Sequence, residues 1–211
     1  MTAAPGIAAS GGTWAIVPAK DFGHAKSRLA PALDAERRAL LARRLFTHVL
    51  DVLGACPELR GVLVATDSDE VQALAEAHAA SVIRDSAKTE LGEVIDRAIA
   101  LLVERGAGAA LIVMADLPEL SAEDVRTLLQ LGKDHRVVAA PDRHGEHTNA
   151  LVLPLPPLAK THFGHAQSLE LHCRAARAGG FRPALHRAFG LELDIDEPRD
   201  LELWQDARER R

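Results

Sequence analysis

Four apolar residues in a row, Leu111-Ile112-Val113-Met114, run into Ala115-Asp116-Leu117-Pro118. A continuous apolar run bounded by small and turn-forming residues reads as a strand buried on both faces, which belongs at the centre of a parallel sheet. The stretch ends in a carboxylate, and Pro118 takes the chain out of the ladder because it has no N–H to donate. Ligands of open α/β sheets bind beyond the carboxyl ends of the strands. The expectation is therefore a strand ending at Asp116, with that carboxylate at the mouth of a crevice.

The flanking pattern supports an α/β sheet. Trp14–Pro18 is a short apolar strand, followed by a loop carrying Lys20, Lys26 and Arg28. Asp34 is placed to cap a helix running to Gly54, with Leu41, Leu45, Val49 and Leu53 on one face. Gly61–Thr66 and Ser81–Ile83 read as strands, and Leu91, Val94, Ile95, Ala98, Ile99 and Leu102 mark an amphipathic helix. Ser121 and Asp124 form a capping-box-like start to a helix over 122–131. Arg136–Pro141 and Asn149–Leu153, joined by a polar loop, read as antiparallel neighbours. Ser168 is expected to cap a helix ending at Gly179-Gly180. A last strand over Leu191–Ile195 then leads to a helix with Pro198 at its first position. Strands alternating with helices up to residue 131 mean βαβ units, and the later strands an extension of the same sheet.

Bulk properties narrow the function classes. At 211 residues one domain is expected, burying roughly 70% of its unfolded surface. Aromatic residues make up only 3% and tyrosine is absent, which argues against recognition by base stacking. A net charge of −5 disfavours a nucleic-acid or anionic-membrane surface. Cys56 and Cys173 are too few for a disulfide framework. Residues 1–13 are small and Gly/Ala-rich and read as a disordered N-terminus, without the pattern of a signal peptide. No apolar run approaches the roughly 20 residues of a membrane span. The expectation is a cytoplasmic protein, with no nucleic-acid or membrane partner; a homodimer is compatible with these features.

Three constellations could carry chemistry. Lys20, Lys26 and Arg28 follow the first strand, where they either hold a polyphosphate or form a solvated basic loop. Gly23-His24-Ala25-Lys26-Ser27 lacks the spacing of a P-loop, and Gly106-Ala107-Gly108 precedes a strand, so the dinucleotide fingerprint also fails. Asp194 and Asp196, two apart on the expected last strand, would share a face. Paired carboxylates there suit Mg²⁺, and Asp196 alternatively caps the next helix. If Asp116 lies opposite, three carboxylates converge and need a cation. Finally, His144/His147 and His162/His165 form two HxxH pairs, a zinc-type spacing without the geometry that a helix would give. Thr148 and Asn149, at the start of a strand, offer a hydroxyl and an amide to a small polar ligand, or serve ordinary turn chemistry.

Taken in order, Trp14-Ala-Ile-Val-Pro18-Ala-Lys20, Lys26-Ser-Arg28-Leu-Ala-Pro31, Ala115-Asp116-Leu-Pro118, Thr148-Asn-Ala-Leu151, Phe163-Gly164, Ser168 with His172, and Leu193-Asp194-Ile-Asp196-Glu-Pro198-Arg-Asp200-Leu resemble the CofC/FbiD guanylyltransferases. The resemblance implies a GT-A-like nucleotidyltransferase fold over residues 14–211: a mostly parallel sheet flanked by helices, with a strand-rich acceptor-binding extension. It implies Mg²⁺-dependent transfer of GMP from GTP to the phosphate of phosphoenolpyruvate, 2-phospho-L-lactate or 3-phospho-D-glycerate, in coenzyme F420 biosynthesis. Carried over by position, Asp116, Asp194 and Asp196 would hold Mg²⁺, and Lys20, Lys26 and Arg28 the nucleotide phosphates. Lys20, Lys26 and Asp116 would then be the catalytic set, and Thr148, Gly164 and Ser168 would hold the acceptor. His147 stands where the family has glycine, three residues instead of two separate Gly164 from Ser168, and Glu90-Leu91-Gly92-Glu93 replaces a Gly-Leu-Asn stretch. The other readings are a nucleotidyltransferase for another phosphorylated acceptor and a non-catalytic nucleotide-binding homologue.

Overall fold

The computed structural model describes residues 11–85 and 89–210. Strands β1 (Thr13–Pro18), β2 (Leu59–Thr66), β3 (Ser81–Arg84), β4 (Ala109–Val113), β5 (Val138–Pro141), β6 (Thr148–Pro154) and β7 (Ala184–Leu185) pair into one sheet of order β3-β2-β1-β4-β6-β5-β7. The β1–β4 strands are mutually parallel, β6 runs antiparallel to both its neighbours, and β7 is parallel to β5. Seven α-helices flank it: α1 (Ala35–Gly54), α2 (Asp69–Ala77), α3 (Leu91–Glu104), α4 (Ala122–His135), α5 (Ser168–Ala178), α6 (Phe189–Glu192) and α7 (Pro198–Glu209), counted among the described residues. The mostly parallel α/β architecture with a strand-rich edge is therefore as expected.

The pleat divides the core. Alternate residues of a strand face opposite sides, so Ala15, Val17, Val62 and Val64 pack with Phe46 and Val49 of α1, Val71 of α2 and Leu128 of α4. Trp14, Ile16, Leu63 and Ala65 pack instead with Ile95 and Ile99 of α3 and Leu169 and Ala176 of α5. A third cluster joins Leu29, Leu45, Leu193 and Ile195, all buried. It fastens the basic loop after β1 to the segment before α7.

Helix starts follow local chemistry. Asp34 accepts from the Arg37 amide, Ser68 accepts from the Val71 amide, and Ser121 and Asp124 form a reciprocal capping box. Pro198 opens α7 as expected.

Four expectations need correction. β4 stops at Val113, so Asp116 lies in the turn beyond the strand. The reason is a lack of partners: β1 pairs with β4 only as far as Ile112, and the Met114 amide makes the last bond to the Asn149 carbonyl. The last strand predicted over 191–195 is not a strand. Leu191 and Glu192 end α6, and Leu193–Glu197 is an extended segment outside the sheet. Its alternation is real, because Leu193 and Ile195 are buried and Asp194 and Asp196 are partly exposed. Alternation reports that one side of an extended chain is buried; it does not report a neighbouring strand. Ser168 does not cap α5, whose N-cap is Gln167; the Ser168 hydroxyl is engaged by β6 instead. Asp196 does not cap α7, because Glu197 does, in a capping box with Asp200. Of the N-terminal segment expected to be disordered over 1–13, residues 1–10 lie outside the described residues, and Thr13 is already in β1. Among the described residues no helix is long and apolar enough to cross a membrane.

Candidate active site

The topology gathers the candidate residues at one edge of the sheet. The carboxyl ends of β1, β2 and β4 open there, and β6, being antiparallel, presents its amino end, Thr148-Asn149, at the same edge. Two cavities meet at this edge. One, of about 290 Å³, is lined by Lys20, Phe22, Lys26, Thr66, Asp67, Asp85 and Val94, among others. The other, of about 520 Å³, is lined by Arg28, Arg143, His147, Thr148, Asn149, Gly164, Ser168 and Asp194. Leu91, Met114, Asp116 and Asp196 border both. Asp116 and Asp196 thus stand on the seam between two chambers.

Lys26 occupies that seam. Its Nζ donates to Asp116 Oδ2 at 2.6 Å and to Asp196 Oδ1 at 2.9 Å, and its side chain is only 9% exposed. Burial alone would lower the lysine pKa, but the charges of Asp116 and then Asp196 outweigh it and hold the ammonium well above its ordinary range. Lys26 sits at φ 57°, a left-handed conformation uncommon for a residue with a side chain. Arg28 is more exposed and approaches Asp196 at 3.9 Å. Lys20 is exposed at the rim of the smaller cavity.

The carboxylates come from the middle of the chain and from its C-terminal part. The Ile195 amide donates to the Asp116 carbonyl at 3.3 Å, which ties the segment before α7 to the turn after β4. Asp194 Oδ1 accepts from the Asn149 side-chain Nδ2 at 3.3 Å. Its pKa is raised to about 6 by burial first and by the negative charge of Asp116 second, with Asp196 adding to it and Asn149 opposing. Asp116 Oδ1 is buried and has no hydrogen-bond partner among the described residues. An orphaned hard oxygen beside two further carboxylates fits a divalent cation such as Mg²⁺. As the side chains stand, no three His, Cys, Asp or Glu residues among those described form a ready metal site. Lys26 fills the place between two of the carboxylates.

The larger cavity has a polar wall held by β6 and α5. The Thr148 amide donates to Ser168 Oγ at 3.0 Å, and Thr148 Oγ1 lies 3.0 Å from His172 Nδ1. Gly164, at φ +87°, lies on the same wall in a conformation that a side chain would strain. His147 turns towards the buried Asp142, at 3.4 Å, and the Asp142 pKa is lowered; burial opposes this, but bonds from the His147 and Glu146 amides prevail. His165 Nδ1 accepts from the Gln167 amide.

The structure thus brings Lys26, Arg28, Asp116, Asp194 and Asp196 together, with Thr148, Gly164 and Ser168 across the larger cavity. Lys20 stays at the rim. Asp67, His172 and Arg143 were missed as site residues by sequence reasoning. Asp67 directly follows the strand read over Gly61–Thr66, His172 stood in the family pattern without a role, and nothing in the spacing of Arg143 revealed its place.

A family profile described as guanylyl transferase CofC like matches residues 13–204. The chain belongs to this family. Phosphoenolpyruvate guanylyltransferase of Sphaerobacter thermophilus is 36% identical, over 90% of this chain and 91% of that one. 3-Phospho-D-glycerate guanylyltransferase of Phenylobacterium zucineum is 34% identical over 83% and 82% of the two chains. 2-Phospho-L-lactate guanylyltransferase of Methanothermobacter thermautotrophicus is 30% identical over 90% and 82%. Among solved structures, a protein of Desulfovibrio desulfuricans G20 described as a nucleotide-diphospho-sugar transferase superposes with a TM-score of 0.78 at 14% identity, covering 94% of this chain and 88% of that one. CMP:2-keto-3-deoxy-manno-octonic acid synthetase, complexed with CTP, gives 0.63 at 17% identity over 94% and 99%. At these identities the structural likeness speaks for the fold alone, which this CofC-like chain shares with both structures.

Proposed function

We propose that the protein transfers GMP from GTP to the phosphate of a small phospho-acid and releases pyrophosphate. The acceptor class is phosphoenolpyruvate, 2-phospho-L-lactate or 3-phospho-D-glycerate, and the place of the reaction is coenzyme F420 biosynthesis. The observation that carries this reading is the pair of cavities joined at Asp116 and Asp196, since group transfer needs two substrates held with their reacting ends at one point.

In this reading the smaller cavity takes the nucleotide. Asp67 Oδ1 is buried there without a hydrogen-bond partner among the described residues. A carboxylate matches the adjacent N1–H and N2–H donors on guanine, whereas adenine offers a single donor group, its N6 amino, beside the N1 acceptor. Lys26, Lys20 and Arg28 neutralise the triphosphate, and Lys26 can leave its carboxylates for a phosphate without changing its charge. Asp116, Asp194 and Asp196 would hold Mg²⁺, which supplies charge neutralisation on the reacting phosphates.

The acceptor lies in the larger cavity between Thr148, Gly164 and Ser168 at one end and the carboxylate seam at the other. An oxygen of its phosphate attacks the α-phosphorus, forming a P–O–P bridge, and the bond from the α-phosphorus to the bridging oxygen breaks. Pyrophosphate departs with that electron pair. The attacking oxygen is already anionic, so no side chain has to remove a proton. What the protein supplies is position and charge. The test is incubation with GTP, Mg²⁺ and each of the three acids, following pyrophosphate. Release with at least one is expected; no release with any of them overturns the reading.

A further inference from the structure

The donors and acceptors around His172 can be assigned from geometry. His172, on α5, is 5% exposed and packed against Phe163, with ring centroids 4.8 Å apart. The backbone N–H of His162 lies 2.8 Å from His172 Nε2. A backbone N–H can only donate, so Nε2 is the bare, accepting nitrogen. The ring is neutral, because burial first and the neighbouring His162 second push its pKa down to about 3. Its single proton therefore sits on Nδ1, which donates to Thr148 Oγ1 at 3.0 Å.

This assignment fixes the polarity of the wall facing the acceptor. Thr148 Oγ1 already receives a hydrogen, so its own hydrogen needs a different acceptor. Ser168 Oγ receives the Thr148 amide hydrogen at 3.0 Å and is in the same position. Both hydroxyls border the larger cavity, and among the described residues neither has an acceptor for its hydrogen. Two neutral donors are useful there: that cavity is also bordered by Asp142, Glu146, Asp194 and Glu197, which would repel an anion.

We propose that His172 is a positioning residue that holds the Thr148 hydroxyl as a hydrogen-bond donor to an anionic oxygen of the acceptor acid. The proposal rests on the acceptor placement argued above. A protonated imidazole would meet the His162 N–H with a second N–H, and the opposite tautomer would turn the Thr148 hydroxyl back on the ring. Only the neutral Nδ1–H form frees that hydroxyl for the cavity.

Two measurements test it. In the wild-type protein without substrates, ¹⁵N-detected imidazole NMR should show His172 as the Nδ1–H tautomer and neutral between pH 8 and pH 5. An Nε2–H tautomer would overturn the proposal even if the activity reading were correct. In kinetics, His172→Phe keeps the ring volume and removes both nitrogens. It should raise the KM for the phospho-acid by roughly ten- to a hundredfold, the range expected for losing a hydrogen bond to a charged group. The KM for GTP and kcat should stay within about twofold. His172→Asn carries an amide nitrogen near the position of Nδ1 and should recover part of the loss. Equal rises in both KM values, or no recovery by Asn beside a folded Phe variant, would mean a merely structural histidine. Should the Phe variant fail to fold, the Asn variant and the wild-type spectrum still decide. If the wild type turns over none of the three acids, the function reading fails, and calorimetric binding of phosphoenolpyruvate to wild type and His172→Asn takes the place of KM.

Discussion

Three side chains at the two cavities make separable predictions. Asp116 lies on the seam of the two cavities with one oxygen on Lys26 and the other without a partner among the described residues. Asp116→Asn keeps the shape and removes the charge, so turnover should fall by about a hundredfold or more, while Lys26 keeps Asp196 and the fold. A pyrophosphate assay beside a thermal melt checks this; a stable variant with full activity would refute the role. Asp67→Asn exchanges an acceptor for a mixed donor and acceptor at the proposed base site. The preference for GTP over ATP in kcat/KM should narrow by roughly ten- to a hundredfold. His172 gives a pH prediction for stability. Its folded pKa of about 3 lies below the ordinary histidine value of 6.5, so the unfolded chain binds the extra proton first. The stability that it contributes is complete above pH 6.5 and is lost as pH falls towards 3. Denaturant melts at pH 7 and pH 4.5 should show a smaller acid loss in His172→Phe than in wild type, with His162 present in both.

The element that organises the site is the small cluster of Leu29, Leu45, Leu193 and Ile195. Leu29 follows the basic loop directly and Ile195 sits between the two carboxylates, so one apolar contact sets both charges at once. Ile195→Ala should cost about 2–5 kcal/mol of stability, the usual range for such a truncation in a core. It should also reduce kcat, because Asp194 and Asp196 lose their common anchor; Ile195→Val should cost about 0.5–1.5 kcal/mol and leave kcat near wild type. Chemical denaturation and initial rates measure both. The same segment shows what could be read in the sequence. The alternation Leu193-Asp194-Ile195-Asp196 correctly announced which side chains are buried. It was silent about sheet membership, because an apolar cluster and a neighbouring strand impose the same period of two. The parallel strands, the caps at Asp34 and Ser121, and the Pro198 start were legible because each is decided by residues close in sequence. The ion pairs of Lys26 span 90 and 170 residues, and the bond from His172 to Thr148 crosses from a helix to a strand. Spacing within one chain carries no signal for such contacts; there the ordered family motifs supplied the grouping, and the structure supplied the geometry.

For the molecule as a whole, the distribution of charge matters more than its sum. A chain with net charge −5 gathers the carboxylates of Asp116 and Asp196 at the meeting point of two cavities, with Asp194 beside them in the larger one. Like charges so placed need a cation, and the fold carries one in Lys26. The same ammonium is a competitor for any divalent ion at Asp116 and Asp196, which leads to a prediction about the whole fold. Lys26→Met retains the apolar stem and removes the charge. In the presence of a chelator at pH 7.5, the variant should melt below wild type, because its carboxylates are left facing one another. Added Mg²⁺ should raise the melting temperature of both proteins, and that of the variant more, since binding no longer has to displace the lysine. Ligand linkage sets the scale at about 2.7 kcal/mol for a cation at a hundred times its dissociation constant, which is roughly 5–10 °C for a chain of this size. Turnover of the variant should still be lost, because Lys26 is also proposed to neutralise the triphosphate. A Mg²⁺ response no larger in Lys26→Met than in wild type would show that the lysine and the cation do not share Asp116 and Asp196, and the cation would then have to bind elsewhere.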